Sequence, residues 1–255
     1  NVSKFEMTAS RILRTVLFLF YGHLAMVFLF AGSSEQTPSP AYDRLYVFGD
    51  SYSDIGEGYL DGNGPTSVAY LAGYLHLSIA RSNDSDVAGK SIDFAVSGAG
   101  TGSGEGSHVE DALLGLGMQN QVADFSERVR QHAISFRPET TLFFIAGGLN
   151  DRKLPSEKTI ENLESEIRTL YGLGARQFAV ALLPTVIPTF EDVGQRLNPE
   201  LTLIPGHLAA ELPAAHIRLS HWGLVFDEGM YNPAAYGIEN TKDASATRAI
   251  FHQDA

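Results

Sequence analysis

The chain has 255 residues, 44% of them hydrophobic and 10% aromatic, enough for one sizeable core and unlike a disordered polymer. Its net charge of −12 argues against nucleic acid as a partner, because phosphate binding needs clustered Lys and Arg. With no cysteine, the chain has no disulfide, no Cys-ligated zinc and no thiol nucleophile.

In chain order, the first predicted element is a targeting segment. Met7 is followed by Arg11 and Arg14, then the apolar stretch Val16 to Ala31, then Gly32-Ser33-Ser34. Positive charge, an apolar centre and small residues are the three parts of a secretory signal peptide. The stretch is interrupted by Tyr21, Gly22 and His23 and is shorter than the ~20 residues a spanning helix wants. Residues 1–32 are therefore expected to be a cleaved signal, with an uncleaved membrane anchor as the alternative. The product is secreted, periplasmic or extracellular in the first case and membrane-attached in the second. Residues 33–42 are polar and contain proline, as in a linker ahead of one domain over 43–255.

Apolar runs then alternate with helical patterns. Leu45 to Phe48 reads as a parallel strand covered on both faces. A helix follows over Thr66 to Leu75, with Val68, Leu71, Ala72 and Leu75 on one face. Ile92 to Val96 is a second strand, opening into "SGAGTGSGEG". A helix over Met118 to Ile134 places Val122, Phe125 and Val129 together. Thr141 to Ala146 is the clearest strand, and Ser156 is placed to cap a helix with Ile160, Leu163, Ile167 and Leu170 inward. Gln177 to Leu183 gives a further strand, Pro199 to Leu212 a helix broken at Pro205-Gly206, and His216 to Leu219 a weaker strand. This alternation predicts an α/β, three-layer, flavodoxin-like open parallel sheet of about five strands with helices on both faces. In such sheets ligands bind beyond the carboxyl ends of the strands, where the loops after Phe48, Val96 and Ala146 all emerge.

Each loop carries a chemical candidate with a plainer alternative. Ser51 follows Gly49-Asp50 at a strand end, where the N-terminus of a following helix favours developing negative charge. Alone, Asp50, Ser51 or Ser53 reads as a helix cap, since a serine nucleophile needs a base. The glycines after Val96 let backbone N–H groups approach an oxygen closely, or simply form a flexible turn. The Asn150 amide can donate to an oxyanion, or can close a turn with Asp151. His108 with Glu110 and Asp111 reads as a solvated acidic turn before a cation site.

Together, the three blocks resemble the GDSL, or SGNH, family of serine esterases and lipases. "FGDSYSDIG" is similar to the family's nucleophile block, "DFAVSGAG" to its second block and "GGLND" to its Gly-x-Asn-Asp block. Two later segments, "NPELTLIPGHLAAELP" and "YNPAAYGIENTKDA", resemble the lipase-like branch. The likeness runs from about Tyr46 to the last residue, with Asp93 and Ser97 departing from the commonest residues of the second block. The resemblance implies Ser51 as nucleophile, an oxyanion hole of Ser51, Gly98 and Asn150, no cofactor and no metal. It also implies Asp254 as the carboxylate of the closing Asp-x-x-His block, whose histidine falls two residues past Ala255. The chain therefore reads as cut short before its general base. His252 neighbours Asp254 but is off the motif position, and His76, His132, His207, His216 and His221 read as surface or core residues. The expected activity is ester hydrolysis through an acyl-enzyme on a small-molecule or lipid ester. The alternative is an inactive relative that binds esters or glycans; a flavodoxin-like nucleotide binder fits the sheet but not the order of Gly98, Asn150 and Asp254.

Overall fold

Strand β1 (Arg44–Gly49) is buried from its second residue on, and its side chains alternate between two cores. Tyr46 and Phe48 enter one, Leu45 and Val47 the other, as the two-residue period of a strand requires. The structure is a computed structural model that describes residues 42–58, 65–109, 112–188, 190–239 and 241. These belong to the unit Pro40–Ala255. The predicted signal segment, all of the predicted linker except Tyr42, and both His252 and Asp254 lie outside the described residues.

Six parallel strands form the sheet. Besides β1 they are β2 (Ile79–Arg81), β3 (Ser91–Asp93), β6 (Thr141–Ala146), β7 (Gln177–Ala181) and β8 (His216–Ser220), in spatial order β2-β3-β1-β6-β7-β8. The expected parallel α/β sheet is present, widened by the short edge strand β2, which three residues were too few to announce. An antiparallel hairpin of β4 (Glu105–Val109) and β5 (Ala112–Leu116) stands apart from it. The polar, Gly-rich sequence around this hairpin lacks the alternation that marks a half-buried strand.

Helices cover both faces. On one lie α2 (Met118–Arg130), α3 (Ser156–Gly172), α4 (Glu191–Leu201) and α5 (Ile204–Leu208), contributing Phe125, Leu163, Leu197 and Leu208 to the core. Phe125 meets Tyr46 at 5.0 Å and Phe48 at 5.7 Å, so one aromatic cluster ties α2 to the strand that leads to Ser51. On the other face lie α1 (Ser67–Tyr74), through Val68 and Ala72, and Trp222 from α6 (Trp222–Tyr231).

Three predicted boundaries move, each for a local reason. Pro155, not Ser156, stands at the cap of α3, and the Ser156 hydroxyl instead accepts a hydrogen bond from Arg196 Nη1 at 2.9 Å. Helix α4 starts at Glu191 rather than Pro199, because Val193, Leu197 and Leu201 bury one stripe and outweigh Pro199 inside it. The break comes at Leu203, and Pro205 sits in the first turn of α5, where a missing N–H costs nothing.

Three buried positions of α3 are polar, Thr159, Asn162 and Glu166, and the last is a carboxyl. Glu166 is 2% exposed, and neither carboxylate oxygen finds a hydrogen-bond partner among the described residues. Burial, with a smaller push from Asp151, raises its pKa well above the ordinary carboxylate value. The folded state therefore holds the proton that the unfolded chain releases. Stability from this group is complete below the unfolded pKa of 4.5 and is lost as pH rises through the folded value. Glu166→Met is expected to raise the denaturation midpoint at pH 8, by about 1–3 kcal/mol of stability, and much less at pH 4.5. Urea melts of both proteins at the two pH values measure it; equal stabilisation at both would contradict the assignment.

Candidate active site

Because β3, β1 and β6 are adjacent and parallel, the loops that follow them leave the same edge of the sheet. The loop after β3 is tied to the others by direct hydrogen bonds. Val96 N–H donates to the Gly49 carbonyl at 3.2 Å, and Asn150 Nδ2 donates to the Ala99 carbonyl at 3.0 Å. The predicted convergence of the three loops is thus made through hydrogen bonds between them.

Ser51 follows β1 in a tight turn. The Asp50 carbonyl accepts from Ser53 N–H at 2.9 Å and Asp54 N–H at 3.0 Å, while Asp50 Oδ1 accepts from Tyr52 N–H at 3.1 Å. Gly49 is needed at the entry, since a Cβ there would stand 2.5 Å from the Ala146 carbonyl oxygen. The helix expected directly after Ser51 is replaced by this single turn, and α1 begins only at Ser67. Ser51 is half-buried, and among the described residues its backbone N–H has no acceptor.

Gly98 has φ +79, in the left-handed region, and is exposed although the segment from Ser91 to Ser97 is buried. Its N–H likewise has no acceptor among the described residues. Asn150 uses one amide hydrogen on Ala99 and keeps a second to donate. Backbone N–H groups left without a protein acceptor and open to solvent are available to an incoming anion.

Side chains that the sequence reading did not single out hold these loops. Gln121, 1% exposed on α2, accepts from Gly49 N–H at 2.9 Å and donates to the Gly49 carbonyl at 2.9 Å and the Leu116 carbonyl at 3.0 Å. Asp54 Oδ2 accepts from Ser97 N–H at 2.8 Å and Ser97 Oγ at 2.9 Å, and its other oxygen caps Gly56 and Glu57. Asp151 accepts from Thr101 N–H, Thr101 Oγ1 at 2.5 Å and Thr159 Oγ1 at 2.8 Å, fixing the glycine-rich loop to α3. Gly49, Ser97 and Thr101 lie 72, 43 and 50 residues from the side chains that hold them, so no local pattern could reveal those bonds.

Several carboxyls crowd this edge. Asp93 is fully buried, and burial raises its pKa well above the ordinary value despite N–H bonds from Ala95 and Ile55. Burial, with smaller contributions from Asp54 and Asp124, pushes Glu57 up to about 7, against the N–H bond it accepts from Ser82.

Among the described residues no histidine hydrogen-bonds Ser51. His207 pairs with Glu164 at 2.9 Å, His216 and His221 are exposed, and His76 and His132 sit at φ 57 and φ 60 in helix-ending turns. Of the proposed acidic turn, Glu110 and Asp111 lie outside the described residues, and so do Asp254 and His252. No group of three metal-ligating side chains is arranged around an ion site among the described residues.

Two variants probe this scaffold. Gln121→Leu strands the Gly49 N–H and the Leu116 carbonyl and is expected to cost about 1–3 kcal/mol, read from urea melts. Glu57→Gln keeps an acceptor for Ser82 but removes the titration. Because Glu57 is raised from 4.5 to about 7, its stabilisation is lost as pH rises across that window. The melting temperature of Glu57→Gln relative to the parent is expected to climb between pH 4.5 and pH 7 and to level off above.

Comparison with known proteins follows the same lines. A lipolytic G-D-S-L family protein from Veillonella parvula is 14% identical, with a TM-score of 0.41 over 78% of this chain and 85% of that one. An aryl esterase from M. smegmatis is 13% identical, with a TM-score of 0.38 over 69% of this chain and 83% of that one. An acetyl-xylooligosaccharide esterase mutant from Geobacillus stearmophilus is 17% identical, with a TM-score of 0.39 over 77% and 85%. No curated relative matches the chain. A sequence profile of the GDSL-like lipases and acylhydrolases, in contrast, matches residues 45–248 and takes in β1, the three loops and all the strands of the sheet. On that match, with "FGDS" running out of β1 and Gly98 and Asn150 on the loops beside it, the chain belongs to the GDSL-like lipase/acylhydrolase family of hydrolases.

Proposed function

We propose that the protein is a serine ester hydrolase that works through an acyl-enzyme on Ser51. The observation that carries this is the set of donors around the β1 turn. The N–H groups of Ser51 and Gly98 have no acceptor among the described residues, and Asn150 Nδ2 is anchored beside them by Ala99.

In the first step Ser51 Oγ attacks the carbonyl carbon of the ester and gives its proton to a base. The electron pair of the C=O bond moves to oxygen, and the three donors hold that oxyanion. Collapse of the adduct breaks the bond to the alcohol, which leaves with the proton, and the acyl group stays on Ser51. Water, deprotonated by the same base, then attacks and releases the acid. The base in this proposal is an imidazole at the third position after Asp254, oriented by the Asp254 carboxylate; that position is past the sequence. The N-terminal segment fits export or membrane attachment of such an enzyme. Among the described residues no helix is long and apolar enough to cross a membrane.

The test uses protein extended through the histidine position and a 4-nitrophenyl ester. Ser51→Ala is expected to abolish hydrolysis. Asn150→Ala is expected to lower kcat by ~10²–10³, about 3–4 kcal/mol of barrier, with KM little changed. Hydrolysis that survives Ser51→Ala would refute the nucleophile, and an unchanged kcat in Asn150→Ala would remove Asn150 from the oxyanion site.

A further inference from the structure

The Asn150 amide is anchored toward the Gly98 loop by the Ala99 carbonyl at 3.0 Å, and the backbone that carries it is braced from another side by α4. Arg196 of α4 donates from Nη1 to the Leu154 carbonyl at 3.1 Å and to Ser156 Oγ at 2.9 Å. Its Nη2 donates to the Asp151 carbonyl at 3.3 Å. All three acceptors are neutral oxygens in the stretch 151–156, which follows Asn150 and leads into α3. Leu197, the next residue of α4, closes against the other leg of the turn. Gly148 has φ +125, and a Cβ there would stand 3.1 Å from Leu197 Cδ1. The residues before and after Asn150 therefore rest on consecutive positions of one helix. At the start of that helix, the Arg152 guanidinium carbon lies 4.3 Å from the centroid of the Phe190 ring.

The planar fork of a guanidinium holds its acceptors in a fixed arrangement that a lysine cannot copy, and its charge strengthens each bond. The Asp151 side chain pins the start of the same turn to Thr101 and Thr159, while Arg196 takes the Asp151 carbonyl and the far leg. We propose that Arg196 is a positioning residue, which fixes the turn after β6 so that the second amide hydrogen of Asn150 points where the ester oxyanion forms. The inference rests on the ester-hydrolase reading above. Arg196 itself touches no substrate and acts through Asn150. A donor that has drifted still tolerates the ground-state ester but meets the oxyanion poorly, so the loss falls on kcat rather than KM.

A double-mutant cycle in protein extended through the histidine position tests this with 4-nitrophenyl acetate. Arg196→Lys keeps the charge and loses the fork, and is expected to lower kcat about tenfold with KM little changed. The same substitution in an Asn150→Ala background is expected to cost nothing further, since no amide is left to aim. A tether that served stability alone would cost both backgrounds alike. Equal loss in the two backgrounds overturns the proposal, and so does an unchanged kcat in Arg196→Lys by itself. If Arg196→Lys does not yield folded protein, Ser156→Ala carries the same cycle, because it deletes one of the three acceptors and leaves the helix otherwise intact. A loss of about threefold that vanishes beside Asn150→Ala is then expected, and a loss that persists there, or no loss at all, overturns the proposal.

The parent proteins of the cycle separate this inference from the reading it rests on. Ser51-dependent hydrolysis that also falls in Asn150→Ala keeps the ester-hydrolase reading whatever Arg196 does, so a failed cycle removes Arg196 alone. An Asn150→Ala protein with unchanged kcat takes Asn150 out of the oxyanion site and the role of Arg196 with it. Absence of Ser51-dependent hydrolysis overturns the ester-hydrolase reading and this inference together.

Discussion

A parallel sheet satisfies its backbone only as far as its strands run together. At the carboxyl edge the ladder stops, and every N–H and C=O of the following loops needs another partner. In this protein three buried side chains supply them. Gln121 replaces a neighbouring strand for Gly49, Asp54 takes the amide of Ser97, and Asp151 takes the amide of Thr101. What they leave unpaired is as informative as what they pair. Among the described residues the N–H groups of Ser51 and Gly98 have no acceptor.

The same edge concentrates negative charge in a chain that is already acidic. Asp54 accepts four hydrogen bonds, whereas Asp93 and Glu57 are pushed toward their neutral forms by burial and by neighbouring carboxylates. Holding Asp93 and Glu57 closer to neutrality avoids gathering like charges at a buried edge. The two hydrogen bonds from Ser97 to Asp54 tie the turn at Gly98 to the turn after β1.

Much of this was legible in the sequence, and the limits are physical. Strands such as Thr141 to Ala146 and the stripe Ile160, Leu163, Ile167 and Leu170 were readable because burial on one or two faces writes a period into the chain. Ser51, Gly98 and Asn150 were readable only as a set, through a family likeness, since each alone is an ordinary turn residue. Strand β2 and the β4–β5 hairpin were not readable, being too short or too polar to carry a period. Gln121 and Asp54 act across 72 and 43 residues, and a glutamine in a helix has no local mark of facing inward until the fold supplies its partner. Helix α6 was missed because "WGLVFDEGMY" carries two glycines and no clean amphipathic spacing.

The hairpin β4–β5 is stitched to the rest of the molecule at its root. Gly115 N–H bonds the Ser97 carbonyl at 2.8 Å, Gly117 N–H bonds the Gly104 carbonyl at 2.8 Å, and Gln121 holds Leu116. Strand β4 is exposed along its length and β5 is half-buried. Mechanically it is clamped where the loop of Gly98 needs rigidity, and further out Gly58 lies close against the Leu113 carbonyl, where a Cβ would stand 2.0 Å away. The side chains of the exposed strand β4 can drift, or be rebuilt by design, without passing strain back to Ser97. The hairpin is therefore the natural place on this scaffold to graft a new recognition surface above an unaltered sheet edge.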